Sequence, residues 1–338
     1  MPERLPERSI LERVVRRYQP EALLLSARPL EGGISAQIVA LEIDRQGAVE
    51  TLVLRRHGAW DLARNPRIAA TEYTLLQALA RRGLPVPAPR CLDDSDTILP
   101  SPWLLQEHLP GEVHWQSDSP AADGLAIAHQ LAAIHAVDAA ELGLEMATAL
   151  PGGEPPPPLA SRLASCLNDL AHPPTTLDEA LLEGEIRRAL LAAGPPAAGN
   201  RPALLHDDLW PGNILWDGGA ISGVLDWSEA AVGDPLADLA NSRLEILWAY
   251  GEEAVEAFTA AYLGLTGVDA SDLPWWDLIA ALKPCGQLST WIADPAQEAR
   301  MAAQSACSRG APSRHWPAPR PLDGPRPLAY TSTYVEAI

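Results

Sequence analysis

The chain has 338 residues, 47% of them hydrophobic, with 44 acidic against 25 basic side chains and a formal net charge of −19. This length suits one two-lobed enzyme or two small domains, and the hydrophobic content is ample for a core. The charge argues against general binding to nucleic acid or to an anionic membrane surface, and it fits a cationic small-molecule partner. Four cysteines (Cys91, Cys166, Cys285, Cys307) are scattered without C-x-x-C spacing, as expected of reduced thiols in a cytoplasmic protein. The charged start, Met-Pro-Glu-Arg, lacks the apolar stretch of a signal peptide, and no apolar run is long enough for a transmembrane helix.

Residues 7–18 set Leu11, Val14, Val15 and Tyr18 at helical spacing and predict a first helix. Three strands follow, over 23–30, 36–43 and 49–56. Glu31-Gly32-Gly33-Ile34-Ser35 joins the first two, and a glycine-containing turn of this kind can lay backbone N–H groups over phosphates. Arg55 and Arg56 alternate to opposite faces of the third strand. A helix over 66–82 carries Glu72, and the prolines of 85–89 end it. Residues 103–107 read as an apolar strand running into a turn at His108-Leu109-Pro110-Gly111. The text is helical from Ser119, with an Ala- and Leu-rich stretch over 125–137 in which His135 reads as a core or capping residue. A Pro-rich connection over 150–159 precedes helices near 159–170 and 177–193. Further helices are expected near 235–249, 252–264 and 273–291. Asp234 suits the N-cap of the first of these, with Pro235 at its opening position. Lys283 is the only lysine. From Ser305 periodicity is lost and Pro and Arg accumulate, so the tail is expected to be disordered.

The segment 205–226 carries the chemistry. Asp208 follows the apolar run Ala203-Leu204-Leu205, Pro211-Gly212 turns the chain, and Asn213 opens a new apolar run. Asp217-Gly218-Gly219 marks a hairpin turn, and the return strand ends at Asp226. A hairpin of this length brings Asn213 and Asp226 to one end, where a single ion could bridge them. Mg²⁺ favours few protein ligands and hard oxygen donors, so one amide and one carboxylate suffice. With Asp208 as a proton acceptor, this is the set of groups that phosphoryl transfer needs.

The pattern His206-x-Asp208-x4-Asn213 followed by Asp226 resembles the motifs of the aminoglycoside phosphotransferase and choline kinase superfamily, and most closely its aminoglycoside phosphotransferase branch. The resemblance covers roughly residues 23–304. It implies an α+β, two-lobe protein-kinase-like fold, with a small antiparallel-sheet N-lobe over 1–107, a larger, mainly helical C-lobe over 108–304 and a tail over 305–338. It implies Asp208 as catalytic base and Asn213 and Asp226 as ligands of Mg²⁺. His206 and Asp238 would support the loop. Gly33 and Ser35 would lie in the nucleotide-positioning loop. Arg55 would steady the phosphates in place of the usual lysine, held by Glu72, and Gln106, Glu107 and His108 would form the hinge against the base of ATP or GTP.

The implied activity is transfer of a γ-phosphoryl group to a hydroxyl of a small molecule. The same motifs fit kinases of this fold acting on choline, homoserine, ketosamines or macrolides, and a nucleotide-binding module without turnover. Candidate acceptor-pocket residues are Asp169, Glu245, Trp248, Trp275, Trp276 and Trp291, although the tryptophans read better as core and the charges of Asp169 and Glu245 as surface.

Overall fold

The apolar runs Ile38-Val39-Ala40-Leu41 and Leu52-Val53-Leu54 lie in a long antiparallel strand pair, and much of the first half of the chain is built on it. The computed structural model of the chain describes residues 5–30, 36–150, 155–197 and 199–286. In order, the elements are α1 (Arg8–Tyr18), β1 (Leu23–Pro29), β2 (Ala36–Arg45), β3 (Ala48–His57), α2 (Ala59–Arg64), α3 (Ile68–Arg81), β4 (Pro89–Asp93), β5 (Trp103–Glu107) and β6 (Glu112–Val113). They continue with α4 (Pro120–His135), α5 (Ala139–Thr148), β7 (Ala160–Ser161), α6 (Arg162–Ala171), α7 (Glu183–Ala193), β8 (Ala203–Leu205), β9 (Ile214–Asp217), β10 (Ala220–Val224) and β11 (Ala231–Gly233). Helices α8 (Pro235–Tyr250), α9 (Glu252–Thr266) and α10 (Leu273–Leu282) complete the α+β architecture. No described helix is long and apolar enough to cross a membrane.

The chain divides into two units. The first takes Met1–His114, Val137–Leu159 and Gly212–Ala230. Its five-stranded sheet is antiparallel throughout, in the order β1-β2-β3-β5-β4. β2 and β3 pair from Ala36↔His57 to Arg45↔Ala48. The two-residue turn between them has positive φ at Gln46 and Gly47, which matches the twist of the strands. One face of the sheet buries Val39, Leu41, Ile43, Leu52 and Leu54 against Leu11, Val14 and Val15 of α1. Strand alternation sends Val53, Arg55 and His57 to the opposite face. A second, three-stranded sheet in the order β10-β9-β6 belongs to the same unit. Gly111 enters it at φ 114°, where a Cβ would lie 2.7 Å from the Trp216 carbonyl oxygen, so only glycine fits.

The second unit takes Trp115–Ala136, Ala160–Pro211 and Ala231–Ile338. Helices α4, α6 and α8 pack on a small sheet in the order β7-β11-β8, while α9 packs on α4 and α8 and α10 on α7 and α8. α4 lies close on α9, with a Cβ built at Gly124 only 2.3 Å from the Ala254 carbonyl oxygen. The helix expected from 159 begins at Arg162, because Ala160 and Ser161 pair with Ala231 and Val232. The helix expected over 273–291 ends at Leu282. Asp234 caps α8 as expected, accepting from Leu236 N at 3.0 Å, with Pro235 in the first turn. Gly33, Ser35, Trp291 and the tail over 305–338 lie outside the described residues.

Candidate active site

In the first unit the site grows from β3. Arg55 and His57 share a face of the strand, and both reach Glu72 on α3. Arg55 Nε donates to Glu72 Oε2 at 3.0 Å, and its Nη2 donates to Asp226 Oδ1. His57 Nε2 lies 2.9 Å from the same Glu72 oxygen, and its Nδ1 lies 3.6 Å from Asp61 Oδ2 on α2. Arg55, His57, Asp61 and Glu72 are all buried. Cations and carboxylates therefore alternate along a chain that is buried up to its partly exposed end: Asp61, His57, Glu72, Arg55, Asp226. A lone charge here would be strongly disfavoured, and pairing decides the protonation states. Burial works against the charge on Arg55, but Asp226 and Glu72 outweigh it and hold the guanidinium charged. Burial would likewise lower the pKa of His57, yet Asp61 and Glu72 raise it above the ordinary range. Burial would raise Glu72, while Arg55 and His57 bring it below the usual carboxylate range.

The hairpin supplies the oxygen donors. β9 and β10 pair antiparallel, closed by Gly218 and Gly219 at φ 58° and 81°. Asn213 ends a short 3₁₀ turn, Pro211–Asn213, and its carbonyl accepts from Leu225 N at 2.8 Å. That bond puts Asn213 beside the residue that precedes Asp226. Asp226 sits in the left-handed region at φ 59°, a strained setting for a residue with a side chain. Ser228 Oγ donates to Asp226 Oδ1 at 2.8 Å. Trp227 is buried and its indole N–H donates to the Val224 carbonyl at 3.1 Å, which anchors the turn. Among the described residues no group of three or more His, Cys, Asp or Glu could hold a metal ion. An amide and a carboxylate at one end of a hairpin fit Mg²⁺, which keeps most of its waters, better than a metal needing a full protein cage. β5 ends at Glu107, whose N–H donates to the Ala88 carbonyl at 2.9 Å. Gln106 is buried in that strand, and His108 is the first residue past it.

In the second unit β8 delivers the chain to His206, Asp207 and Asp208. Asp238, fully buried in the first turn of α8, organises this loop. Its Oδ2 accepts from His206 N at 2.7 Å and its Oδ1 from Asp207 N at 2.6 Å. His135 Nε2 lies 3.1 Å from Asp238 Oδ2, and its Nδ1 lies 2.6 Å from the Tyr262 hydroxyl. His206 is fully buried, and its Nδ1 accepts from Asp208 N at 3.3 Å, which puts the ring proton on Nε2. Asp207 has φ 62° and its Oδ1 lies 2.9 Å from Arg162 Nε. Asp208 Oδ1 accepts from Lys283 Nζ at 2.6 Å. No local motif signals that contact, since 75 residues separate the partners.

The expected pocket residues divide. Trp275 and Trp276 are buried against each other at 85° and serve the core. Asp169 is exposed on α6. Trp248 and Trp115 flank Trp210 at centroid distances of 6.4 and 5.7 Å. Glu245, one turn before Trp248, has its pKa raised to about 7; burial and Asp208 push it up, and Lys283 opposes them.

The chain is similar to known proteins along most of its length. It is 24% identical over 261 residues to acyl-CoA dehydrogenase family member 11 of Pongo abelii, a match covering 70% of this chain and 32%, about a third, of that protein. Its fold is similar to that of macrolide 2′-phosphotransferase MphH from Brachybacterium faecium, with a TM-score of 0.57, 22% identity, and 90% and 99% of the two chains covered. It is similar too to aminoglycoside phosphotransferase APH(4)-Ia in ternary complex with ADP and hygromycin B, with a TM-score of 0.55, 18% identity, and 88% and 97% covered. Since the model of the phosphotransferase enzyme family matches residues 26–279, in an α+β protein with a five-stranded antiparallel sheet and a helical C-terminal part, the chain belongs to that family.

Proposed function

We propose that this protein transfers the γ-phosphoryl group of Mg-ATP, or Mg-GTP, to a hydroxyl of a small molecule in the cytoplasm. The observation that carries the reading is the bridge made by Arg55, whose buried guanidinium bonds both Glu72 and Asp226. It sets a fixed positive charge beside the carboxylate suited to the metal. Glu72 and Asp226 fix the guanidinium through Nε and Nη2, and Arg55 steadies the α- and β-phosphates by its charge and its remaining N–H groups. Asn213 and Asp226 would hold Mg²⁺, which when bound would offset the negative charge of the phosphates. Asp208 accepts the hydroxyl proton as the hydroxyl oxygen bonds to phosphorus and the bond to the β-phosphate oxygen breaks, releasing ADP. Asp238 and His206 keep the loop carrying Asp208 in one conformation. The backbone around Gln106, Glu107 and His108 receives the base. Catalysis is mostly positioning and electrostatics, because the loose transition state asks for little covalent chemistry.

The acceptor best matched to a chain of net charge −19 is cationic, as aminoglycosides are. Choline, homoserine, ketosamines and macrolides are the alternatives. The test is ADP release from Mg-ATP across that panel of acceptors. One acceptor is expected to stimulate turnover, and Asp208→Asn to lower kcat at least about 100-fold. Binding of Mg-nucleotide with no stimulation by any acceptor would make the chain a nucleotide-binding module. Failure to bind either nucleotide would end the kinase reading.

A further inference from the structure

Lys283 is the one lysine among 25 Lys and Arg residues, and it meets the loop that carries Asp208. It follows the last residue of α10. Its ammonium has three donors and three acceptors in reach: Asp208 Oδ1 at 2.6 Å, Asn241 Oδ1 at 3.1 Å and the Asp207 carbonyl oxygen at 3.3 Å. Three acceptors gathered around one point suit a compact ammonium, whereas a guanidinium spreads its donors over a plane. The pair is not core: the Lys283 side chain is 25% exposed and that of Asp208 29%, enough for a small molecule to reach both.

Asp238 holds this loop through the backbone of His206 and Asp207, which leaves the direction of the Asp208 carboxylate to other contacts. We propose that Lys283 is the positioning residue for Asp208, fixing the carboxylate that takes the acceptor's proton and keeping a positive charge beside the oxygen that receives the phosphoryl group. The inference rests on the phosphoryl-transfer reading and deepens it. A hydroxyl bonded to Asp208 lies within about two hydrogen-bond lengths of the ammonium. Before transfer, Lys283 and Asp208 offset each other. As the hydroxyl proton moves to Asp208, that carboxyl becomes neutral and the ammonium is left facing the new phosphate ester. The attraction is thus stronger after the proton has moved than before, and only such a difference accelerates the step. The cation makes Asp208 a weaker base, but the reaction asks for a directed acceptor more than a strong one.

The test uses the full chain labelled with ¹⁵N-lysine, which gives one side-chain ammonium signal. That signal is expected to move in Asp208→Asn, with no acceptor needed. In turnover assays, with the identified acceptor or with water in basal nucleotide hydrolysis, Lys283→Met is expected to lower kcat about 100-fold. Its KM for Mg-nucleotide should stay within about threefold. Lys283→Arg, which keeps the charge and α10 in place, is expected to recover kcat only in part, and it carries the test should the Met variant not fold. An ammonium signal indifferent to Asp208→Asn, an unchanged kcat, or a loss confined to KM would each overturn the role. A wild-type protein that turns over neither acceptor nor water would defeat the phosphoryl-transfer reading and this role with it, while the signal would still report whether the pair exists.

Discussion

At the scale of single residues, the largely buried chain from Asp61 to Asp226 makes a pH-dependent contribution to stability. His57 has a raised pKa in the folded protein, so its protonated form favours folding. The stabilisation is fully present below the ordinary histidine value of 6.5 and fades as pH rises through the folded value. Urea midpoints of wild type and His57→Gln, followed from about pH 6 to pH 9, should therefore converge as the pH rises. A gap that stays constant or widens would mean that His57 is neutral in the folded state. Much of this chemistry could be read in the sequence. The spacing of Asn213 and Asp226 is local, and the hairpin brings the Asn213 carbonyl to the N–H of Leu225, the residue before Asp226. The pairing of Arg55 with Glu72, implied by resemblance, is made in the structure. His57 lies two residues after Arg55 on a strand, which puts both on the same face. Lys283 gave only its rarity, since nothing near it in sequence points to a loop 75 residues away.

At the scale of elements, one close contact between two helices of the second unit passes over a glycine. α4 brings Gly124 so near α9 that a methyl group would meet the Ala254 carbonyl at 2.3 Å. Backbone cannot give way as a flexible side chain can, so Gly124→Ala should force the helices apart. The expected cost is about 1–3 kcal/mol, seen as a lower thermal midpoint, even though alanine is the better helix former. A variant as stable as wild type would mean that this contact is looser than it stands. Long periodic elements such as α1, α3, α8 and α9 were legible because an apolar stripe repeats over several turns. The two- and three-residue strands β6, β7 and β11 were not, since so short a segment shows no period. β7 and β11 pair because the tertiary structure brings them together, and that pairing delays the start of α6.

At the scale of the whole molecule, the charge of −19 acts as self-repulsion. Raising ionic strength from about 10 to about 100 mM shortens the screening length from roughly 30 to 10 Å. The thermal midpoint should therefore rise over that range, measured by calorimetry at fixed pH. A fall would show that exposed ion pairs outweigh the net repulsion. Each of the two units is assembled from three separate stretches of the chain. The first unit takes its last stretch, Gly212–Ala230, only after two stretches of the second have passed. A ribosome making this chain must therefore have passed residue 230 before the first unit owns all its parts, and β3 waits with Arg55 in hand for an Asp226 that is 171 residues behind it. No single backbone cut can free one unit from the other, so a truncated gene product ending before 226 would lack the carboxylate that Arg55 holds, however well its first five strands had paired.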